Sequence, residues 1–343
     1  MNAPHHDPNY DYLGAESIRE RIEAVIAEID GVRHRAHEDI EYIHRMRVAS
    51  RRLRAALDLF EGSLKIPDFK KWSKPIRGIT RELGMARDAD VQIEFVEAFL
   101  KETPDDTYSQ GIERLILRLK QHREEQQPHV VKALDKLEKS KVLGELEKTV
   151  LQIRVHAQMK GARIDAHSVR KRARDLIAER VAHVLVYEPY VEQEEKGAEL
   201  HQMRIETKRL RYALEIFNPA FGGELKDYIK QTKQVQELLG QLQDSEVWIA
   251  YLAKFEEEER AKTIEYFGHA RPLARVIPGL HHFSQAQQAR RKQVYLEFVA
   301  CWKQLKERQA WHELLGRLVE LSKGELPEPE APAPSTAEQG STA

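Results

Sequence analysis

The sequence predicts an all-α fold built from two related halves. Apolar residues recur at i, i+3, i+4 and i+7 through most of the chain, and runs rich in Val, Ile and Thr with strand alternation are missing. Gly and Pro are sparse through the middle of the 343 residues, and aromatics make up only 7%, a profile of helices. A 17-residue segment also occurs twice, which divides the chain near its centre.

In chain order, residues 1–11 are polar, carry two His and two Pro, and lack the pattern of a signal peptide; they are expected to be disordered. The helical pattern then runs over 12–322. It is broken near Gly62 to Pro67, Thr103 to Asp106, Pro128, Lys160 to Ala162, Pro189, Asn218 to Gly223 and Arg271 to Pro278. These breaks leave long helices, many of about 20 residues or more. Residues 324–343, with Pro327, Pro329, Pro332 and Pro334 among Glu, Ala and Ser, form an acidic Pro-rich tail expected to be disordered. The two halves are 12–160 and 163–322.

The repeat pairs His-Arg-Met-Arg-Val-Ala-Ser-Arg-Arg-Leu-Arg at the start of 44–60 with His-Gln-Met-Arg-Ile-Glu-Thr-Lys-Arg-Leu-Arg at the start of 201–217. Nine of the 17 positions are identical, at an offset of 157. At offset 156, Leu83-Gly84, Asp88 and Val91 match Leu239-Gly240, Asp244 and Val247. A period this long indicates a duplication, not a short-repeat solenoid.

On a helix at about 100° per residue, Met46, Ala49, Leu53, Ala56, Leu57 and Phe60 share one face. His44, Arg47, Arg51 and Arg54 share another. The second copy repeats this with His201, Arg204, Lys208 and Arg211, while the matched Arg52 and Arg209 sit away from the stripe. The next helix carries Lys70, Lys74 and Arg77, matched by Lys226, Lys230 and Lys233; Pro75, opposite Gln231, kinks or starts that helix in the first half. A solvated face in a near-neutral protein interleaves acids to form i, i+4 pairs. Along each His/Arg stripe the first acid comes only at the end, as Asp58 or Glu215. Like charges on adjacent turns repel by a few tenths of a kcal/mol per pair. Retaining that repulsion twice, with 56 acids elsewhere in the chain, points to an anionic partner.

From residue 44 to 54 is about 15 Å of helix, with a cation about every 5.4 Å, a spacing suited to a polymer of phosphates. Arg supplies bidentate forks and Lys mobile charges. Aromatics do not interleave with the cations, so base stacking is not provided for. Histidine protonation would strengthen binding as pH falls.

The net charge of −1 excludes a whole-molecule pull on anions, so binding requires local segregation of charge. No apolar run reaches about 18 residues, and the single Cys301 forbids an intrachain disulfide; a soluble, cytoplasmic chain is expected, with no membrane partner. Neither His44 nor His201 has a second ligand at i+4, and Arg47 and Arg204 would repel a cation; no metal site is expected. His34 with His37, and His281 with His282, read as surface residues, and Cys301 as packing beside Trp302. No Gly-rich phosphate loop precedes a helix. Asp88 and Asp244 are expected to orient groove arginines through salt bridges. No cofactor and no enzymatic activity are expected. An RNA-binding module and a polyphosphate-processing enzyme, the latter with Asp88 and Asp244 holding Mg²⁺, are the alternatives; a protein partner or homodimer is compatible.

His-x-Met-Arg-[Val/Ile]-x-x-[Arg/Lys]-Arg-Leu-Arg, followed by Leu-Gly-x-x-x-Asp and a second round of both, resembles the CHAD family, whose name means conserved histidine α-helical domain. The resemblance covers 12–322. It implies two four-helix bundles related by a pseudo-two-fold axis, forming one domain. It also implies a central basic pore or groove that binds inorganic polyphosphate, lined from His44, Arg47, Arg51, Arg54, His201, Arg204, Lys208 and Arg211, and a link to polyphosphate granules. The Lys70 and Lys226 stripes are additions from the repeat. Relatives are often fused to a triphosphate tunnel domain, and Glu192-Gln193-Glu194-Glu195-Lys196 matches that domain's Glu-x-Glu-x-Lys signature. With no barrel strands around it, the match reads as chance, and the chain as a stand-alone binding domain.

Overall fold

A computed structural model describes residues 7–36, 38–64, 69–103 and 105–323; the tail 324–343 and residues 1–6 lie outside them. Every regular element among the described residues is helical, as expected. The first half contains α1 (Pro8–Ala27), the short α2 (Ile29–His34), α3 (Glu41–Phe60), α4 (Phe69–Glu102), α5 (Asp106–Lys139) and α6 (Val142–Met159). The second contains α7 (His167–Leu185), α8 (Gly197–Phe217), α9 (Lys226–Phe267), α10 (Ile277–Glu307) and α11 (Ala310–Leu321), with short 3₁₀ turns at Glu188–Tyr190, Asn218–Phe221 and Arg271–Arg275.

Helix α1 opens inside the stretch expected to be disordered. Asp7 caps it, its carboxylate accepting from the Asn9 N–H at 3.0 Å, and Pro8 occupies the first turn, where a missing N–H costs nothing. The physical reason for order is Tyr10: its ring is buried between Phe60 and Phe217, at 5.2 and 6.1 Å. Pro128 does not break the chain either. Helix α5 runs through it, because Pro128 faces solvent while Val130 and Leu134 anchor the same segment in the core. The break comes later, at Lys141, whose left-handed backbone (φ 55°) starts α6. Pro75 likewise lies inside α4.

Helix α3 packs on α1 and α4, α8 on α7 and α9, and α3 meets α8 across the middle. One core runs through both halves: Ile43, Met46, Leu53 and Phe60 of α3 join Met203, Leu210, Leu214 and Phe217 of α8. A second cluster forms where the α4–α5 and α9–α10 hairpins meet, around Val96, Leu115, Trp248 and Phe283. There α5 and α10 cross at Gly111 and Gly279. A Cβ on Gly279 would sit 2.1 Å from the Tyr108 carbonyl oxygen, so the crossing requires glycine. The Glu-x-Glu-x-Lys segment forms no strand. It ends in a turn before α8, and Glu194 pairs with Arg291 at 2.6 Å.

Candidate anion-binding site

The apolar face of α3, at 43, 46, 49, 53, 56, 57 and 60, is buried, and this rotates Arg47, Arg51 and Arg54 into a half-buried band at its margin. Helix α8 does the same with Arg204 and Lys208. Because α3 and α8 meet, the two bands converge on a cleft of about 450 Å³. Arg47, Arg51, Arg54, Arg204 and Lys208 line it, together with Arg81 of α4. Thr80 of α4 and Gln236 of α9 complete the wall as neutral polar groups. Six cations therefore face one carboxylate, Asp88.

A second, smaller cleft of about 240 Å³ shares Arg51, Arg54 and Lys208 with the first and adds Arg180, Arg209 and Tyr212. The two clefts are neighbours joined at the same three cations.

The electrostatics of the cleft follow from this convergence. Burial, and then the charges of Arg51, Arg204, Arg209 and Arg54, push the Lys208 ammonium down from 10.5 to about 8. Both halves contribute to that list. Burial also lowers Arg47, offset by Asp88, whose Oδ1 accepts from an Arg47 Nη at 3.1 Å. Arg51 donates to the Tyr212 hydroxyl at 2.7 Å. Arg54, Arg204 and Lys208 form no ion pair among the described residues, and Arg54 Nε is buried without a hydrogen-bond partner. The Asp244 carboxyl is raised, mainly by burial and further by Asp88, against the pull of Arg204. The expected Asp88 salt bridge is present; Asp244 feels Arg204 without an ion pair among the described residues.

Several expected residues lie elsewhere. His44 and Arg52 line a separate cleft against α1, with Arg21 and Glu215. His44 Nδ1 is buried there without a partner. His201 Nδ1 is 2.6 Å from Gln243 Oε1, which fixes the ring behind the band. Arg211 lies 3.6 Å from Glu215 and 5.1 Å from the Tyr212 ring. Arg209 pairs with Glu206 at the rim of the smaller cleft. On α9, Lys226 and Lys230 are exposed away from the central cleft, and Lys233 pairs with Glu237 at 3.4 Å. Lys74 and Arg77 line a further cleft, between α4 and α5. Lys70 lies outside the residues whose side chains are described. Cys301 is half-buried, and burial raises its thiol, as suits packing.

Arg81, Thr80, Gln236 and Arg180 were not legible as site residues. Arg81 extends the spacing of 70, 74 and 77 by one more turn, which is a usable signal. It was lost because its match in the other half is Glu237. Tyr212 turns its hydroxyl to Arg51.

The CHAD domain family matches residues 16–253, most of the chain, including both basic helices. The chain belongs to the CHAD family. This CHAD domain is also similar in fold to the crystal structure of the CHAD domain from the plant Ricinus communis, with 23% identity, 88% of this chain and 93% of that chain covered, and a TM-score of 0.63. PptA from Streptomyces chartreusis is similar over 86% of this chain and 99% of its own, at 15% identity and a TM-score of 0.51. At these identities the likeness shows the fold alone. No curated protein matches the CHAD chain. No described helix is long and apolar enough to cross a membrane.

Proposed function

We propose that this CHAD domain binds inorganic polyphosphate, without turning it over, in the cleft between α3 and α8. The observation that carries the reading is the convergence of Arg47, Arg51, Arg54, Arg204 and Lys208, drawn from both halves, with one carboxylate among them. Like charges held this close, with Asp88 as the one carboxylate lining the larger cleft, concentrate a positive potential that an anion relieves. Two adjoining clefts sharing three cations suit a linear polymer better than a single phosphate. The family resemblance supplies polyphosphate as the polymer, and with it a granule-associated role in the cytoplasm. Two features weigh against nucleic acid and turnover. No aromatic ring lines the larger cleft, so bases lack a stacking partner. Asp88, its carboxylate, is engaged by Arg47.

We further read the halves as an internal duplication. The matched pairs Arg47 and Arg204, Arg51 and Lys208, and Thr80 and Gln236 all face the one cleft. The non-glycine left-handed joints at Lys141 and Gln309 start α6 and α11 at the same offset, 168, that separates Gly111 from Gly279.

The test is calorimetry with long-chain polyphosphate at two salt concentrations, on the wild type and on Arg47→Glu/Arg204→Glu. If six cations engage phosphates, log K should fall with log salt at a slope of about −4, taking roughly 0.7 per contact as for a single strand. The folded double variant should lose binding. Wild-type affinity in that variant, displacement of polyphosphate by RNA at equal charge, or release of phosphate with Mg²⁺ would each overturn the reading.

A further inference from the structure

The cleft between α4 and α5, about 1060 Å³, is larger than the central one and is also basic. Lys74, Arg77 and Arg81 project from α4 at i, i+3 and i+7. Lys132 and Lys136 project from α5 at i and i+4, with His129 one turn before them. Two acids, Glu61 and Glu82, line the same space. Lys74, Lys132 and Lys136 form no ion pair among the described residues. The acids beside them in sequence are turned away: Asp135 accepts from Arg33 at 2.8 Å, and Glu138 binds the same guanidinium. A solvated helix surface would use those carboxylates to neutralise Lys132 and Lys136. Here both are committed to Arg33 of α2, so the cleft stays positive.

The junction is Arg81. It lines both this cleft and the central one, and its side chain is 75% exposed, held among the described residues by the adjacent Glu82 at 2.6 Å. Gly78 adds room: a Cβ there would meet nothing within 4 Å, so packing does not demand glycine, and its absence of a side chain leaves the cleft wall open. On the matching stretch of α9 the junction residue is Glu237, which neutralises Lys233. The continuation therefore exists on one side of the duplicated frame and is blocked by charge on the other.

We infer that a phosphate polymer held in the central cleft leaves it over Arg81 and continues along the α4–α5 cleft, so that the domain grips long chains on a one-sided track. The inference rests on the proposed binding of polyphosphate and adds to it a direction and a length preference. Short anions fill the central cleft alone. Long ones gain the contacts of Lys74, Arg77, Lys132 and Lys136.

Calorimetry with tripolyphosphate and with long-chain polyphosphate tests this on Lys132→Glu/Lys136→Glu, whose two exposed positions lie outside the central cleft and whose fold is checked by circular dichroism. Long-chain affinity should fall at least about tenfold, and its salt slope should shrink by roughly 0.7 per contact removed. Tripolyphosphate affinity should stay within about twofold. Glu237→Arg, a second variant, should raise long-chain affinity by opening the other side. If the wild type binds both probes and Lys132→Glu/Lys136→Glu binds long chains as tightly as wild type, or loses both probes equally, the track is wrong while the central cleft stands. If the wild type binds neither probe, the binding function itself falls.

Discussion

Replacing Lys208 with Met should make the protein more stable and its polyanion binding weaker. The Lys208 ammonium is half-buried among Arg51, Arg204, Arg209 and Arg54, and burial and those charges push it down from 10.5 to about 8, the cost of keeping it charged. At about 1.4 kcal/mol per pH unit that fall corresponds to roughly 3 kcal/mol. The group is still partly solvated, and screening reduces the figure to about 1–2 kcal/mol. Below pH 8 the folded and unfolded chains both carry the proton, and the penalty is present in full. Between 8 and 10.5 the folded chain has released it while the unfolded chain has not, so the penalty shrinks as pH rises; above 10.5 it is gone. At pH 7.5 Lys208→Met should therefore unfold a few degrees higher than wild type, and by pH 10.5 the charge-dependent part of that gap should close. Met contributes the same packing at every pH, so the narrowing isolates the charge. Long-chain polyphosphate affinity at pH 7.5 should fall about 10- to 100-fold, the loss of one charge-assisted contact of about 1.5–3 kcal/mol. Thermal unfolding followed by circular dichroism at the two pH values, with calorimetry at the lower one, reads both effects. A variant less stable than wild type at pH 7.5, or a gap independent of pH, would refute the account of Lys208 as a cation held among cations.

Asp88→Asn removes the carboxylate that competes with phosphate for Arg47; since a partly exposed pair is worth up to about 1 kcal/mol, affinity for long-chain polyphosphate should rise about two- to fivefold by calorimetry. A loss of affinity would show instead that Asp88 is needed to hold Arg47 in place. Gly279→Ala should destabilise by about 3 kcal/mol or more in urea unfolding, because the new Cβ meets backbone at 2.1 Å and neither helix can yield locally. Gly78→Ala, with open space around it, should stabilise α4 by up to about 1 kcal/mol in the same assay.

Helical periodicity alone was enough to read the all-α fold and the paired basic helices, since a 3.6-residue period over long segments leaves little ambiguity. Where a residue's role depended on solvent or on a distant partner, the reading went astray. Pro128 looked like a stop, but an exposed proline on a helix anchored by Val130 and Leu134 loses one hydrogen bond and keeps its core. Tyr10 looked like part of a loose terminus, and distant partners order it: the rings of Phe60 and Phe217 and the Arg172 guanidinium 3.9 Å over its ring. For the site, the repeat grouped Arg47, Arg51, Arg204 and Lys208, which line one cleft, with His44 and His201, which do not. Three residues is 300° at 100° each, so His44 and Arg47 can share a broad face while facing different helices across it. Searching for what the halves share also discarded what they do not: Arg81 fell out because Glu237 stands opposite it.

The near-neutral charge of the chain and its strongly basic cleft have one cause. Acids pair with cations along the outer faces, as in Glu256 with Arg260, Glu258 with Lys254 and Glu237 with Lys233. Where α3 and α8 face each other, only Arg47 of the cleft-lining cations on these two helices is so paired among the described residues, and Arg51, Arg54, Arg204 and Lys208 repel one another. The same two helices carry the force that overcomes the repulsion. Beyond the cations, Phe60 and Phe217 touch at 6.3 Å with Tyr10 against both, and all three rings are buried. Each buried Phe contributes about 1.5–3 kcal/mol, and each ring pair about 0.5–1.5 kcal/mol more, against a few tenths of a kcal/mol for each like-charge pair on the helix surface. Cohesion at one end of the seam therefore fixes the spacing of the cations along it before any anion arrives. A cleft assembled in advance by apolar contacts spends no ligand-binding energy on ordering itself, and the repulsion stored in it is released when phosphate oxygens enter.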